Sequence, residues 1–136
     1  MRNPARQNQP MTYEISITEE PAYLHVRVTG TNSREAVRGY LGEVYAACVE
    51  RKVGTVLIEE NLEGPALGLF DIYQLIEEAS ARTIPHVRWI AYVDVNAGHR
   101  PGNTRFAETM AVNRGINIRC FFDLEAAKSW LGENVQ

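Results

Sequence analysis

The first apolar pattern along the chain has the two-residue period of a half-buried β-strand. Apolar and polar residues alternate over residues 13–17 and, after a turn at residues 19–21, again over residues 24–29. Two such segments joined by a short turn predict an antiparallel hairpin. His25 falls on the polar phase of the second segment, so we expect its side chain to be exposed.

Apolar residues next recur at helical spacing up to Arg51, which predicts a long amphipathic helix. Asn32 is the expected cap, with Glu35 as the return half of a capping box. Gly39 and Gly42 lie inside this helix, and each costs about 1 kcal/mol relative to alanine. Close packing on the sheet and simple tolerance are both consistent with these two glycines.

The chain is organised around a strand that ends in acidic residues. The apolar run at residues 56–58 is followed by Glu59 and Glu60, then by a loop at residues 61–68, and then by a helical pattern that begins at Leu69. In an open α/β sheet, ligands and partners usually meet the protein where a central strand gives way to its helix. We therefore expect the function to lie near residues 60–68.

The rest of the chain repeats the order of strand, loop and helix. Residues 87–93 are apolar on both phases, as in a strand covered on both faces, and they end in Asp94 and an irregular loop. A third helix capped by Asn103 or Thr104, a short strand and a helix capped by Asp123 follow. The predicted order is ββαβαβαβα, which is an α/β domain with a mostly parallel five-stranded sheet, an antiparallel edge strand and four helices.

Composition narrows the class of protein. A length of 136 residues suits a single domain, which we place at residues 12–132, and residues 1–11 are predicted to be a disordered tail. A net charge of −3 without a basic tract argues against nucleic acid. Cys48 and Cys120 fit two buried free thiols, and the chain lacks an 18-residue apolar run, so we expect a cytoplasmic protein without a transmembrane segment.

Four segments together are similar to one known family. They are the hairpin that stops at Gly30, LIEENLEG at residues 57–64, WIAYVDV at residues 89–95, and the ending IRCFFDLEAAKSWL at residues 118–131. This pattern resembles the STAS-like fold and, within it, the SpoIIAA-like proteins of bacteria. The lipid-transfer domains of the CRAL-TRIO type would be more distant relatives. The resemblance implies a single-domain α/β sandwich.

The same resemblance bears on regulation. In the STAS regulators that act as anti-sigma-factor antagonists, a Ser or Thr at the start of the second helix is phosphorylated. The corresponding loop here, residues 61–68, contains neither residue. The phosphorylation switch is therefore not carried over to this chain. The resemblance still implies a binding or regulatory module, for a small or lipid-like ligand or at a membrane surface.

Candidate catalytic groups converge at one edge of the predicted sheet. Parallel strands should bring the following polar residues together there: Glu60, Asn61, Asp94, Asn96 and His99. A carboxylate–histidine pair among them could act as a general base. However, the chain has no nucleophile elbow, HExxH motif, P-loop or GxGxxG motif, so we expect no catalytic residue, no cofactor and, with three widely separated histidines, no metal site.

Two other features are candidates for binding. Arg100 and Arg105 flank a predicted helix N-terminus, where backbone N–H groups favour an anion, although a solvated loop would show the same residues. The loop before the second helix is unusually apolar and includes Gly64, Leu67 and, just beyond it, Phe70. A homodimer contact, a hydrophobic pocket and plain core packing are all consistent with it.

Three functional hypotheses result. The leading one is a non-enzymatic STAS-like module that binds a protein partner or itself through residues 60–70. The second is a small-ligand or lipid-binding module with a pocket between the second and third helices, an anion contact at Arg100 or Arg105, and peripheral contact with a membrane. The third is an enzyme of unknown reaction that uses Glu60, Asp94 and His99.

Overall fold

The computed structural model describes residues 13–100 and 102–134. Strands and α-helices alternate in it as follows: β1 (Tyr13–Glu19), β2 (Leu24–Thr31), α1 (Arg34–Arg51), β3 (Thr55–Glu63), α2 (Leu69–Thr83), β4 (Trp89–Asp94), α3 (Thr104–Asn113), β5 (Ile118–Phe121) and α4 (Leu124–Asn134). A 3₁₀ turn at Ala97–His99 lies between β4 and α3. The predicted order and fold class are confirmed. The predicted tail at residues 1–11 lies outside the described residues.

The strands lie in the sheet in the same order as in the chain, β1-β2-β3-β4-β5. β1 pairs with β2 in antiparallel fashion, and the other neighbours are parallel, so the antiparallel edge strand is confirmed. Right-handed crossovers that all advance in one direction place their helices on the same face of a sheet. This is why α1, α2 and α3, which make the three crossovers, share one face.

The two faces of the sheet have separate cores. We call the side covered by α1–α3 the front face, where Val26 and Ile58 pack against Tyr40 of α1. On the opposite side, the back face, Leu57 and Val93 pack against α4 through Leu131. Alternation along each strand therefore fills two cores, because α4 covers the side that the crossover helices leave open.

Some local predictions were wrong. β3 runs to Glu63, so the strand continues past Glu60, and Asn61 lies within it and not in the predicted loop. Ser33 rather than Asn32 caps α1, since the Ser33 side chain accepts a hydrogen bond from the N–H of Ala36. His25 is buried instead of exposed, because β2 lies inside the sheet and a Glu59 oxygen lies 2.9 Å from its Nε2 atom.

The two glycines of α1 have different surroundings. A Cβ atom on Gly39 would lie 2.9 Å from the ring of Tyr13, so the absence of a side chain lets α1 approach β1 closely. A Cβ atom on Gly42 would meet no atom nearer than 3.9 Å, at the guanidinium of Arg82. Gly39 is therefore a packing requirement, whereas Gly42 is tolerated.

Candidate functional site

A cavity of about 190 Å³ opens on the front face between α2 and α3. Its wall is largely apolar and includes Leu41, Leu75, Ile76, Ile90, Ala107 and Ile118. The second hypothesis placed a pocket at this position. For comparison, an engineered apolar cavity of about 150 Å³ in another protein stays dry and binds benzene. The space is thus sufficient for a molecule somewhat larger than benzene.

Glu60 supplies a polar group to this cavity. Its side chain is only 4% exposed. The hydroxyl of Tyr40, from α1, donates to one carboxyl oxygen, and the hydroxyl of Tyr92, from β4, donates to the other over 2.5 Å. Burial raises the pKa of Glu60, although both hydroxyls act in the opposite direction by stabilising the carboxylate. Burial, followed by the charge of Glu60, also raises the pKa values of Tyr40 and Tyr92.

A second polar group, which we call the His99 clasp, comprises His99, Asp94 and the carbonyl of Gly64. The Nδ1–H of His99 donates to Asp94 over 2.8 Å, and the Nε2–H donates to the carbonyl oxygen of Gly64 over 2.7 Å. Burial alone would lower the pKa of His99, but the Asp94 and Gly64 acceptors outweigh it and raise that pKa. Two acceptors on one ring favour the doubly protonated imidazolium.

Side-chain donors also hold the loop between β3 and α2 in place. Besides His99, three asparagine amides donate to carbonyl oxygens of this region at 2.8–3.0 Å: Asn96 to Leu62, Asn32 to Pro65, and Asn103 to Leu67. The loop backbone is thus anchored from the end of β2, the end of β4 and the start of α3. The turn after the clasp needs glycine, because Gly102 has a φ of +48° and a Cβ atom there would collide with the carbonyl of His99.

An exposed apolar surface begins where this loop ends. We define the α2 patch as Leu69, Phe70 and Tyr73, at the start of α2, which are 52%, 67% and 46% exposed. Tyr73 lies four residues after Leu69 and three after Phe70, so its side chain neighbours both on the helix surface. Leu67, just before the helix, instead packs against the front-face core. The apolar loop residues therefore divide between the core and the surface.

The described residues contain no group of three or more His, Cys, Asp or Glu side chains placed to hold a metal ion. In the same part of the chain, none of the helices has the length and apolar character needed to cross a bilayer.

A solved structure with a similar fold is the crystal structure of an anti-sigma factor antagonist from Mycobacterium paratuberculosis. The alignment has a TM-score of 0.58 and 13% identity, and it covers 91% of this chain and 97% of that chain. The chain has a STAS-type fold. At this identity the likeness concerns the fold alone, and it gives no support to the relation with CRAL-TRIO domains. No family model and no curated protein matches the sequence.

Within this STAS-type domain, only part of the predicted site comes together. Glu60, Asp94, His99 and Leu67 all line the cavity, and the Gly64 carbonyl joins them through the clasp. Asn61 and Phe70 are exposed. Sequence reasoning missed Tyr40 and Tyr92. Both occupy apolar positions of their elements, where a tyrosine looks like an ordinary core residue.

The two arginines of the predicted anion site lie elsewhere in the STAS-type domain. The Arg100 guanidinium donates to the carbonyl oxygen of Phe122 over 2.7 Å and stacks on the ring of that residue. Arg105 is exposed on the first turn of α3. Neither residue lines the cavity. The anion contact therefore stays a prediction about the surface and is separate from the cavity.

Proposed function

We propose that this STAS-like domain is a non-enzymatic regulatory module that binds a protein partner through the α2 patch. The observation that carries the proposal is the exposure of Phe70, whose side chain is 67% exposed beside Leu69 and Tyr73. Adjacent exposed apolar side chains of this kind mark interaction sites, and aromatic residues are frequent energetic anchors there. The fold likeness to a protein described as an anti-sigma factor antagonist supports a regulatory role.

The anchored loop strengthens the case for the patch. Hydrogen bonds from His99 and Asn103 to loop carbonyls fix the backbone that leads into α2. A surface held in one conformation loses less entropy when a partner binds. The α2 patch is therefore preorganised for binding.

The same geometry disfavours the enzyme hypothesis. Both ring nitrogens of His99 are occupied as donors, one to Asp94 and the other to the carbonyl oxygen of Gly64. A general base needs a free lone pair within reach of a substrate proton. His99 would have to break the clasp to provide one. We therefore propose a non-enzymatic role and assign no catalytic residue.

The test compares Phe70→Glu with a matched control, Val49→Glu. Val49 is also exposed, at 42%, but it lies on α1. Proteins captured from lysate of the source cells by the wild-type domain are identified, purified and titrated against all three proteins. We expect Phe70→Glu to weaken binding by about 30-fold or more, as for a central anchor residue, and Val49→Glu to leave it unchanged.

The outcomes separate the alternatives. If Phe70→Glu binds the purified partner as tightly as the wild type while circular dichroism shows a folded domain, the α2 patch is not the interface. If the partner is a second copy, sedimentation velocity will show a dimer for wild type and Val49→Glu and a monomer for Phe70→Glu. Leu67 is unsuitable for this test, because it packs against the core and a charge there would unfold the domain.

A further inference from the structure

We propose that the cavity between α2 and α3 binds a small molecule that has an apolar body and one hydrogen-bond-donating head, such as a phenol, an alcohol or an amine, with the head directed at Glu60. This site is distinct from the α2 patch, so the ligand proposal can be tested independently of the proposed partner. Its ligand class follows from three properties of the cavity: its volume, its polar groups and its charge.

The volume and wall define the body of the ligand. The cavity measures about 190 Å³ and is lined mainly by aliphatic side chains of α2, α3, β4 and β5. Against this aliphatic part of the wall water gains little, because it finds too few hydrogen-bonding partners there. A compact apolar group gains both dispersion contacts and the transfer of its surface out of water. A single substituted ring or a short branched chain has the appropriate size.

The polar groups around Glu60 define the head. An ionised carboxylate accepts about four hydrogen bonds, and the two tyrosine hydroxyls fill two of these positions. Because each hydroxyl hydrogen already points at Glu60, the oxygens of Tyr40 and Tyr92 are left with lone pairs. This end of the cavity therefore offers acceptors to a ligand. A donor on the ligand complements it, whereas a group that only accepts does not.

The charge of the wall excludes an acidic head. The ionisable side chains that line the cavity include Glu60 and Asp94, and no arginine or lysine is among the described residues of the lining. His99, which also lines the cavity, has both ring nitrogens committed to Asp94 and Gly64. A carboxylate ligand would bring a further negative charge close to Glu60 and Asp94, and the described lining has no lysine or arginine to pair with it, which is strongly unfavourable in a buried site.

The experiment uses three probes of matched shape on the full chain at pH 7.5: 4-ethylphenol, its methyl ether 4-ethylanisole, and the 4-ethylbenzoate anion. Binding is measured by ¹H–¹⁵N correlation NMR titration. We expect the phenol to shift amide signals of α2, α3 and β4 and to bind about tenfold or more tightly than either other probe, the difference typical of a hydrogen bond to a charged group. The ether keeps the shape but lacks the donor.

Substitutions locate the site. Ala107→Phe fills the cavity from α3, and its matched control Ala126→Phe adds the same side chain to an exposed position of α4, on the back face. Ala79→Leu fills the cavity from α2 and serves if Ala107→Phe does not fold. We expect both filling variants to abolish phenol binding. Glu60→Gln keeps the volume but adds donors, so it should bring the phenol and the ether within about twofold of each other.

Several results would overturn the proposal. One is that none of the three probes binds the wild-type protein. Another is that the benzoate binds as tightly as the phenol, which would assign the site to anions. A third is that phenol binding survives in a folded filling variant, and a fourth is that Glu60→Gln keeps the full preference for phenol over ether.

Discussion

At the scale of single residues, the carboxyl group of Glu60 on β3 links its own strand to α1 and to β4 by hydrogen bonds. Burying a charge is costly unless hydrogen bonds replace the lost water. Tyr40 and Tyr92 provide these hydrogen bonds from the two neighbouring elements. A buried glutamate is tolerated in this central strand because each of its carboxyl oxygens accepts a hydrogen bond from a tyrosine hydroxyl.

Removing one donor should show how much the domain depends on this contact. We expect Tyr40→Phe to lower the free energy of unfolding by about 1–3 kcal/mol, the cost of leaving a buried acceptor without a partner. Urea denaturation measures this loss. Because the missing hydroxyl raises the folded-state pKa of Glu60 further, the loss should be greater at pH 8 than at pH 5.

Tyr13→Phe is the matched control for Tyr40→Phe. The hydroxyl of Tyr13 also donates to a glutamate, Glu43, but at the protein surface. Water can replace that hydrogen bond, so we expect a loss of less than about 1 kcal/mol. Equal losses in the two variants would contradict the view that Glu60 is a buried, donor-dependent carboxylate.

At the scale of secondary-structure elements, the two glycines of α1 give opposite predictions. Gly42→Ala should raise the free energy of unfolding by about 0.5–1 kcal/mol, because alanine favours the helix and the added Cβ atom meets no close neighbour. Gly39→Ala should show no such gain, since its Cβ atom displaces the ring of Tyr13. Thermal and urea unfolding of both variants measures the difference. A stabilisation by Gly39→Ala equal to that by Gly42→Ala would contradict the packing role.

The elements that could be predicted from sequence are those defined by local periodicity. Alternation predicted β1 and β2, helical spacing predicted the helices, and Asp123 does accept a hydrogen bond from the N–H of Glu125 at the start of α4. The errors have non-local causes. Glu60 looked like the end of a strand because a charged residue is not expected inside a buried strand. The tyrosines that make its burial possible lie on other elements. His25 looked exposed because Glu59, its side-chain hydrogen-bond partner, lies 34 positions further along the chain, on β3.

The candidate site could be predicted only in outline for the same reason. The rule for strand ends correctly grouped Glu60, Asp94 and His99, since it depends only on parallel topology. That His99 binds both Asp94 and the Gly64 carbonyl depends on the path of two loops, which the sequence pattern does not specify. Arg100 likewise pairs with Phe122, a residue from a later strand–helix junction.

At the scale of the whole molecule, stability should depend on pH through His99 and Glu60. The raised pKa of His99 means that its contribution is complete below its ordinary value of 6.5 and is lost as the pH rises through the folded-state value. The raised pKa of Glu60 acts in the same direction, because ionising this buried carboxyl above its ordinary value of 4.5 is penalised in the folded state. The domain should therefore become less stable as the pH rises.

His99→Gln tests the first of these contributions. We expect the free energy of unfolding of the wild type to fall between pH 6 and 9, and that of His99→Gln to fall less over the same range, because glutamine does not titrate. His86→Gln is the control, since His86 is exposed, and it should keep the wild-type slope. Urea unfolding at several pH values measures all three. An unchanged slope in His99→Gln would show that the clasp does not hold an imidazolium.

The order of the strands has a consequence for how the protein is made. Each strand from β2 to β5 pairs with the strand that comes just before it in the chain, so during translation every new strand meets a partner that has already been synthesised. Such mainly sequential pairing favours fast folding. α4 comes after all five strands, however, and until it emerges from the ribosome Leu57, Ala91 and Val93 lack the cover that Ala127 and Leu131 give them on the back face. A nascent chain at that stage presents an apolar sheet to its surroundings, which is the form that chaperones recognise and that aggregates if release is delayed.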